Sequence, residues 1–347
     1  MNKIDVAVVG CGYVANDHLK AWKRINQTRV VAVSDLNEAL AKKTAESWKI
    51  PYHYTSLSDL MGHNKIGIVD ICTPPQTHAA LAVQAMKSGS NVLIEKPMTL
   101  TVKDAEEIVE CQKTTGVKAG VIHNWLFEPP VLRADSVVRE GYLGEVFGAE
   151  IEALCPRDEF MTANEHHWSH HIPGGRFSEM LAHPIYLLRH FLGEIEVSDV
   201  QVSKIGTYSW MQSDELSASF RAGEKLGRAY ASFNAPRDAI FISLFGKQAI
   251  LKLDIINATI SLLSRRKTSR FSKGSDTLKQ SSQLMGALLR NAGKVVSGRW
   301  WSGHDMCIRL FTESLINDRE PPATVEEGLA AIRTLEEMCK RIENVRK

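Results

Sequence analysis

DVAVVGCGYVA, residues 5–15, is a β-branched run that breaks into a glycine turn and then into a helical pattern. The turn, Gly10-Cys11-Gly12-Tyr13-Val14-Ala15, is a GxGxxA fingerprint. Its first glycine permits the tight turn, its second lets the backbone approach a pyrophosphate, and Ala15 permits close packing of helix on strand. The following helix aims its N–H groups and positive dipole end at the same place. A glycine pattern alone is weak evidence, but this one has a strand before it and a helix after it. Asp35 ends the second strand, 25 residues beyond Gly10. A carboxylate there accepts hydrogen bonds from adenosine ribose hydroxyls and repels a 2′-phosphate; no arginine follows it, so the residues favour NAD over NADP. The competing reading makes Asp35 an N-cap of the next helix.

The same texture runs to residue 122. Short apolar runs at 30–34, 67–72, 91–94 and 118–122 are separated by helix-period stretches at 39–48, 79–88 and 102–115. Strands buried on both faces read as continuous apolar runs, and the helices between them are the crossovers of a parallel sheet. Asp104, Glu106 and Glu107 suit an early helical turn, and Gly89 and Gly116 suit helix stops. Residues 1–122 therefore predict an α/β Rossmann domain with a doubly wound parallel sheet.

From residue 123 the texture changes. A helix at 131–140 ends at Gly141, and strand-like runs follow at 146–154, 197–205, 216–220, 227–233, 240–245 and 250–253. One helix interrupts them at 177–191, and a terminal helix at 325–345 follows Pro321-Pro322. Consecutive alternating strands predict a large, mostly antiparallel, open-faced sheet, so residues 123–347 read as an α+β domain for substrate and oligomerisation. The runs at 227–233 and 240–245 are too apolar to stay solvated, which predicts a homo-oligomer, dimer or tetramer, through that face.

Bulk properties agree with two ordinary domains. The 347 residues are 44% hydrophobic and 24% charged, with a formal charge of +2. The six cysteines (11, 72, 111, 155, 307 and 339) form no CxxC pair, so neither a disulfide framework nor a thiolate zinc site is expected, and thiols suit a reducing, cytoplasmic setting. The N-terminus runs straight into a strand pattern, which is not the reading of a signal peptide, and no run is long and apolar enough to span a bilayer.

VDICTPPQTHAALAVQAMKSGSNVLIEKPM, residues 69–98, carries a strand ending in CTPP, a histidine four residues after the first proline, and an EKP triplet closing the next strand. GGRFSEMLAHPIYLLRHFLG, residues 174–193, has the form GGG-x-x-x-D-x-x-x-H with changes. These motifs resemble the signatures of the glucose–fructose oxidoreductase / inositol dehydrogenase / MocA-like (Gfo/Idh/MocA) oxidoreductase family, over nearly the whole chain except about 265–298. The resemblance implies that Thr73, Pro74 and His78 line the cofactor and that Glu95 sits near the nicotinamide half. It makes Lys96 the EKP lysine, His183 the catalytic histidine, and Glu179 the occupant of the family's aspartate position. It also implies activity on hydroxyl carbons of sugars, sugar nucleotides and cyclitols, and common assembly as oligomers.

The chemistry of these residue types agrees. Oxidation of an alcohol needs a group to take the hydroxyl proton and a charge to stabilise the alkoxide. Lys96 closes a Rossmann strand at its C-terminal end, where ligands of such sheets bind, and histidine accepts protons near neutrality. Glu179 and His183 are i,i+4 on one helix face, so the carboxylate is positioned to orient the imidazole. Outside this context, Lys96 reads as a solvated lysine and His183 as a satisfied core histidine. Two departures bear on the substrate: glutamate for aspartate at 179 moves the carboxylate about one C–C bond outward, and Pro184 removes a helical bond to Met180.

His166, His167, His170 and His171 crowd the stretch before Gly174, but no acidic base lies between them and Pro173-Gly174-Gly175 reads as a loop, so no metal is expected. The resemblance places this loop over the substrate, with Trp168 as a stacking surface and Arg176 in reach; Asn124 joins them as a candidate substrate contact. Residues 265–299 hold nine Lys/Arg against Asp276, a charge of +8 that leaves −6 on the rest of the chain. Leu278, Met285, Leu288, Leu289, Ala292, Val295 and Val296 recur there at helical spacing, and Trp300 and Trp301 follow. The segment reads either as an inserted helix packing on its own domain or a partner subunit, or as a peripheral contact with an anionic membrane through 265–301. No nucleic-acid module accompanies the charge.

Together these readings predict an NAD-dependent dehydrogenase or reductase of a sugar, sugar nucleotide or lipid-linked sugar. The alternatives are an enzyme that retains NAD and uses transient oxidation for elimination, epimerisation or glycoside cleavage, and a non-catalytic dinucleotide sensor.

Overall fold

The computed structural model describes residues 3–63, 65–264 and 270–345. They form two compact units, 1–124 with 303–336, and 125–302 with 337–347.

In the first unit, strands and helices alternate: β1 (Ile4–Val9), α1 (Ala15–Arg24), β2 (Thr28–Ser34), α2 (Glu38–Trp48), β3 (Tyr52–Tyr54), α3 (Leu57–His63), β4 (Ile68–Ile71), α4 (His78–Lys87), β5 (Asn91–Ile94), α5 (Val102–Thr115) and β6 (Ala119–Val121). All six strands are parallel, in the order β3-β2-β1-β4-β5-β6. The central strands are apolar on both faces because helices cover both; Val6, Ala7, Val8, Ile68, Val69 and Ile71 are fully buried. Asn37 and Thr101 cap α2 and α5 by accepting the N–H groups of Leu40 and Asp104.

The second unit comprises α6 (Pro129–Arg139), β7 (Val146–Pro156), α7 (Phe160–Ala163), α8 (Arg176–Leu192), β8 (Glu196–Ser203), β9 (Glu215–Ala222), β10 (Lys225–Ala235), β11 (Ala239–Gly246), β12 (Ala249–Asp254), β13 (Thr259–Ser264) and α9 (Arg270–Val296). Its seven strands run β13-β12-β11-β7-β10-β9-β8. Every neighbouring pair is antiparallel except β7 with β10. The sheet is thus mixed and mostly antiparallel. Burial alternates along β10: Gly227, Ala229, Ala231 and Phe233 face a core shared with α8, whereas Leu226, Arg228 and Tyr230 face outward.

The remaining helices are α10 (Gly303–Ile316) and α11 (Val325–Val345). A cut at 122/123 assigns both to the second domain. Instead α10 and α11 up to Glu336 belong to the first unit. Arg24 of α1 pairs with Asp305 at 2.7 Å, Val121 donates to the Ala323 carbonyl at 3.0 Å, and a Cβ on Gly120 would meet Phe311 at 3.1 Å. The C-terminal segment therefore closes the β6 end of the first sheet. Strand β13 and helix α10 were not anticipated by the sequence pattern. Among the described residues no helix is long and apolar enough to cross a membrane.

Candidate active site

In the first unit, the strand order reverses its connections between β1 and β4, the place where such sheets bind ligands. Gly10 leaves β1 with φ +93°, and a Cβ there would stand 2.8 Å from the Cys72 carbonyl and 2.9 Å from the Thr73 nitrogen. Only glycine fits. A Cβ on Gly12, by contrast, would meet nothing within 4 Å, so the turn opens on empty space beside the start of α1. Tyr13 is exposed, and Val14 enters α1 with no side-chain cap on the helix. The two oxygens of Asp35 accept the N–H groups of Cys11 and Asn37, each at 2.8 Å. The carboxylate therefore ties the glycine turn to the end of β2, and the N-cap of α2 is Asn37, not Asp35. A cradle that a Cβ would fill, an uncapped helix start and a carboxylate at the end of β2 fit a dinucleotide.

Of the four residues expected around the cofactor after β4 and β5, two are buried and bonded within the protein. Thr73 is half-buried and Pro74 exposed at the mouth of β4, but His78 is fully buried. Its Nε2 lies 2.7 Å from the Thr73 carbonyl and its Nδ1 3.1 Å from that of Met98, so it ties the turn after β4 to the turn after β5. Burial lowers its pKa below the ordinary value. Glu95 is also buried and points inward: Oε2 accepts the Lys96 backbone N–H at 2.9 Å, and Oε1 meets His18 Nε2 at 2.9 Å and His304 Nε2 at 3.4 Å. Burial would raise its pKa, but the bonds from His18 and His304 outweigh burial and hold it well below the usual carboxylate range.

His18 sits between two carboxylates. Its Nδ1 faces Asp70 at 2.9 Å, and Asp70 also accepts the Trp22 indole N–H at 2.6 Å. Burial works against charge on His18, but Asp70 outweighs it and the pKa stands well above 6.5. The chain Trp22–Asp70–His18–Glu95 thus joins α1, β4 and the end of β5 in a buried polar column that ends on the Lys96 backbone N–H. Its signal was present in the sequence: Asp70 interrupts a doubly buried strand, and an aspartate there requires a partner. The groups of three possible metal ligands found among the described residues, His18–Asp70–Cys72 and His18–Glu95–His304, each share His18 and one carboxylate with this column. Lys96 is half-buried just beyond it; Asn124 is buried, its amide 3.3 Å from His304 Nδ1.

In the second unit, α8 continues through Pro184 and buries His183. The imidazole stacks on Trp125 (centroids 3.9 Å apart, planes 12° from parallel), and its Nδ1 is 2.7 Å from the Tyr186 hydroxyl. That hydroxyl also accepts the Trp125 backbone N–H at 2.9 Å. The sequence reading gave the orienting role to Glu179, yet Tyr186 and Trp125 hold the ring and Glu179 takes up Arg176. Tyr186 was readable as the i+3 neighbour of His183. Arg176 does not project from the loop. It is the first residue of α8, buried between Glu159 and Glu179 and 5.0 Å over the Phe233 ring. Two carboxylates neutralise it, so it offers no net positive charge to a ligand.

Trp168 lies on a short 3-10 turn beside His167. The four histidines diverge: His167 faces Ser169, His170 the Met161 carbonyl, His171 the Glu165 carbonyl, and exposed His166 the Glu165 carboxylate. A cavity of about 630 Å³ adjoins this loop, lined by His170, His171, the Gly174–Gly175 backbone, Trp210 and Ser213.

Residues 4–123 match the model of an oxidoreductase family with an NAD-binding Rossmann fold, and residues 131–252 match the GFO/IDH/MocA C-terminal domain. Oxidoreductase P35 of Formosa agariphila is 28% identical over 267 residues, 75% of this chain and 82% of that protein. D-xylose dehydrogenase of Paenarthrobacter nicotinovorans is 25% identical over 190 residues, 54% of this chain and 48% of that protein. The WlbA dehydrogenase of Bordetella pertussis, solved with NADH and UDP-GlcNAcA, superposes with a TM-score of 0.82 at 18% identity, covering 99% of this chain and 96% of that one. With both halves matched in order, the chain belongs to the GFO/IDH/MocA family of NAD-binding oxidoreductases.

Proposed function

We propose that this oxidoreductase is a dehydrogenase or reductase of a sugar or sugar nucleotide, with Lys96 and His183 as its catalytic side chains. The observation that carries the reading is the His183 ring, buried on α8, stacked on Trp125 and fixed by Tyr186. A hydroxyl oxygen can accept two hydrogen bonds. The mechanism requires the Nδ1–H tautomer of His183, which donates to the Tyr186 hydroxyl and leaves the lone pair on Nε2 to accept a proton from a substrate hydroxyl. Lys96 supplies positive charge to an alkoxide, and the bond from Glu95 to its backbone N–H fixes the turn that carries it. Bound NAD supplies a hydride acceptor, and NADH a hydride donor. The xylose dehydrogenase among the relatives and the nucleotide sugar in the WlbA complex support the substrate class. We also propose a homo-oligomer through the outward face of the second sheet, where Phe147, Leu226 and Tyr230 are exposed; light scattering that gives the mass of one chain at micromolar concentration would refute it.

The test is a screen of sugars and nucleotide sugars for NADH formation, followed by variants on the substrate found. Lys96→Met and His183→Asn are expected to lower kcat by about 10²–10⁴-fold with NAD binding retained. Tyr186→Phe is expected to lower it by roughly five- to ten-fold, the worth of one hydrogen bond, with little change in KM. Near-full turnover by either of the first two removes that residue from the mechanism.

A further inference from the structure

Helix α9 is turned inside out. A helix on a domain surface ordinarily directs its apolar stripe at the domain and its polar face at solvent. Here the inward contacts are polar. Gln283 accepts the Leu262 N–H at 2.9 Å, the Asn291 amide donates to the Ala258 carbonyl at 2.9 Å, and Lys279 reaches Ser264 Oγ at 3.3 Å. These bonds fasten the helix along β13, the edge of the second sheet, and shield that edge from other strands. Ala287, 2% exposed, is the buried side chain of this seam. On the other side Leu278, Met285, Leu288, Leu289, Val295 and Val296 stand 58–89% exposed. The apolar stripe legible in the sequence is therefore real, and it faces away from the domain.

We propose that this face docks on an anionic lipid membrane, with α9 lying in the plane of the headgroups. Charge selects the occupant. Lys279, Arg290, Lys294 and Arg299 are exposed on the same segment, off the stripe, with Asp276 as the one acid between residues 265 and 299. A second copy laid on this face about a two-fold axis would bring together two segments that each carry +8. An anionic surface attracts them instead, whereas the remainder of the chain carries −6 and adds no such attraction. Trp300 and Trp301 follow the helix, and tryptophan suits headgroup depth. The length fits too: 27 residues make a helix of about 40 Å, enough to spread six apolar side chains along the interface. Arg265, Arg266 and Lys267 add charge to the segment but lie outside the described residues.

The purified full chain is to be sedimented with vesicles of phosphatidylcholine alone and of phosphatidylcholine mixed with phosphatidylglycerol. Binding is expected to the mixed vesicles only, and to weaken as salt rises. Joint Lys279→Gln, Arg290→Gln and Lys294→Gln substitution is expected to weaken partitioning by roughly a hundredfold, at about five-fold per cation near the surface. Joint Met285→Ser, Leu288→Ser and Leu289→Ser substitution is expected to abolish binding at every salt concentration; these side chains are exposed, so melting should stay at the wild-type temperature. The proposal is overturned if the unmodified chain ignores mixed vesicles at low salt, or if both variants bind like it. It is equally overturned if the serine variant instead loses mass in solution scattering, which assigns the face to a second copy.

Discussion

Alanine in place of Gly10 and alanine in place of Gly12 are expected to fail in different ways. At Gly10 the new methyl meets backbone, not a side chain that can swing aside: the Cys72 carbonyl at 2.8 Å and the Thr73 nitrogen at 2.9 Å, at φ +93°. The backbone conformation costs roughly 1–3 kcal/mol for a residue other than glycine, and the overlap roughly 1–3 kcal/mol more. About 2–6 kcal/mol is a large part of the roughly 5–15 kcal/mol that holds a domain together. The Gly10→Ala melting temperature should fall by roughly 5–20 °C. At Gly12 the methyl meets no protein atom within 4 Å, so stability should stay within about 0.5 kcal/mol of wild type. The space it enters is where a pyrophosphate must pass, so NAD binding should be lost. Thermal melts with and without NAD read both effects. The unmodified chain should gain about 2.7 kcal/mol at a hundredfold excess over the dissociation constant, and Gly12→Ala should gain nothing. A Gly12→Ala protein that melts normally and is still stabilised by NAD would show that the cofactor does not cross this turn.

Asp35→Ser should erode the preference for NAD over NADP in paired titrations; equal affinity of the unmodified chain for both would sink the role given to Asp35. The buried column makes stability depend on pH from two sides. The folded pKa of His18 is raised, so its contribution is whole below 6.5, erodes above that and is lost as pH passes the folded value. The folded pKa of Glu95 is lowered, so its contribution is whole above 4.5 and lost as pH falls through the folded value. His18→Gln should flatten the alkaline fall in melting temperature; an equally steep fall in that variant would contradict the assignment.

Five of the six parallel strands were legible as apolar runs, helped by the turn chemistry after β1 and β4, whereas β3, with no buried residue, carries no such run. The cofactor turn was legible for the same reason. Long-range pairings were not. Nothing local tells that His18 will face Asp70 and Glu95, because 52 and 77 residues separate them. The resemblance supplied Glu95 and His78 as cofactor residues by position, and their bonds to backbone carbonyls, a backbone N–H and buried histidines were not legible with it. Glu179 was paired with His183 on helical spacing, but a charged arginine three residues earlier, buried beside it, takes up the carboxylate. Strand β13 hid in an apolar stretch next to a basic one, and the Ser302-Gly303-His304-Asp305 start of α10, a capping-box pattern, went unread.

Residues 303–336 complete a sheet whose last strand ends at Val121. A ribosome adding roughly 5–20 residues per second emits that segment roughly 10–40 s after β6. In that interval β6 is an open strand edge, and the surfaces that later receive Phe311, Ala323 and Gly328 are bare. The second unit's strands are being made meanwhile, each a wrong partner for that edge. The part of the chain that is translated first is thus a part that finishes folding late, its β6 edge open until residues 303–336 arrive.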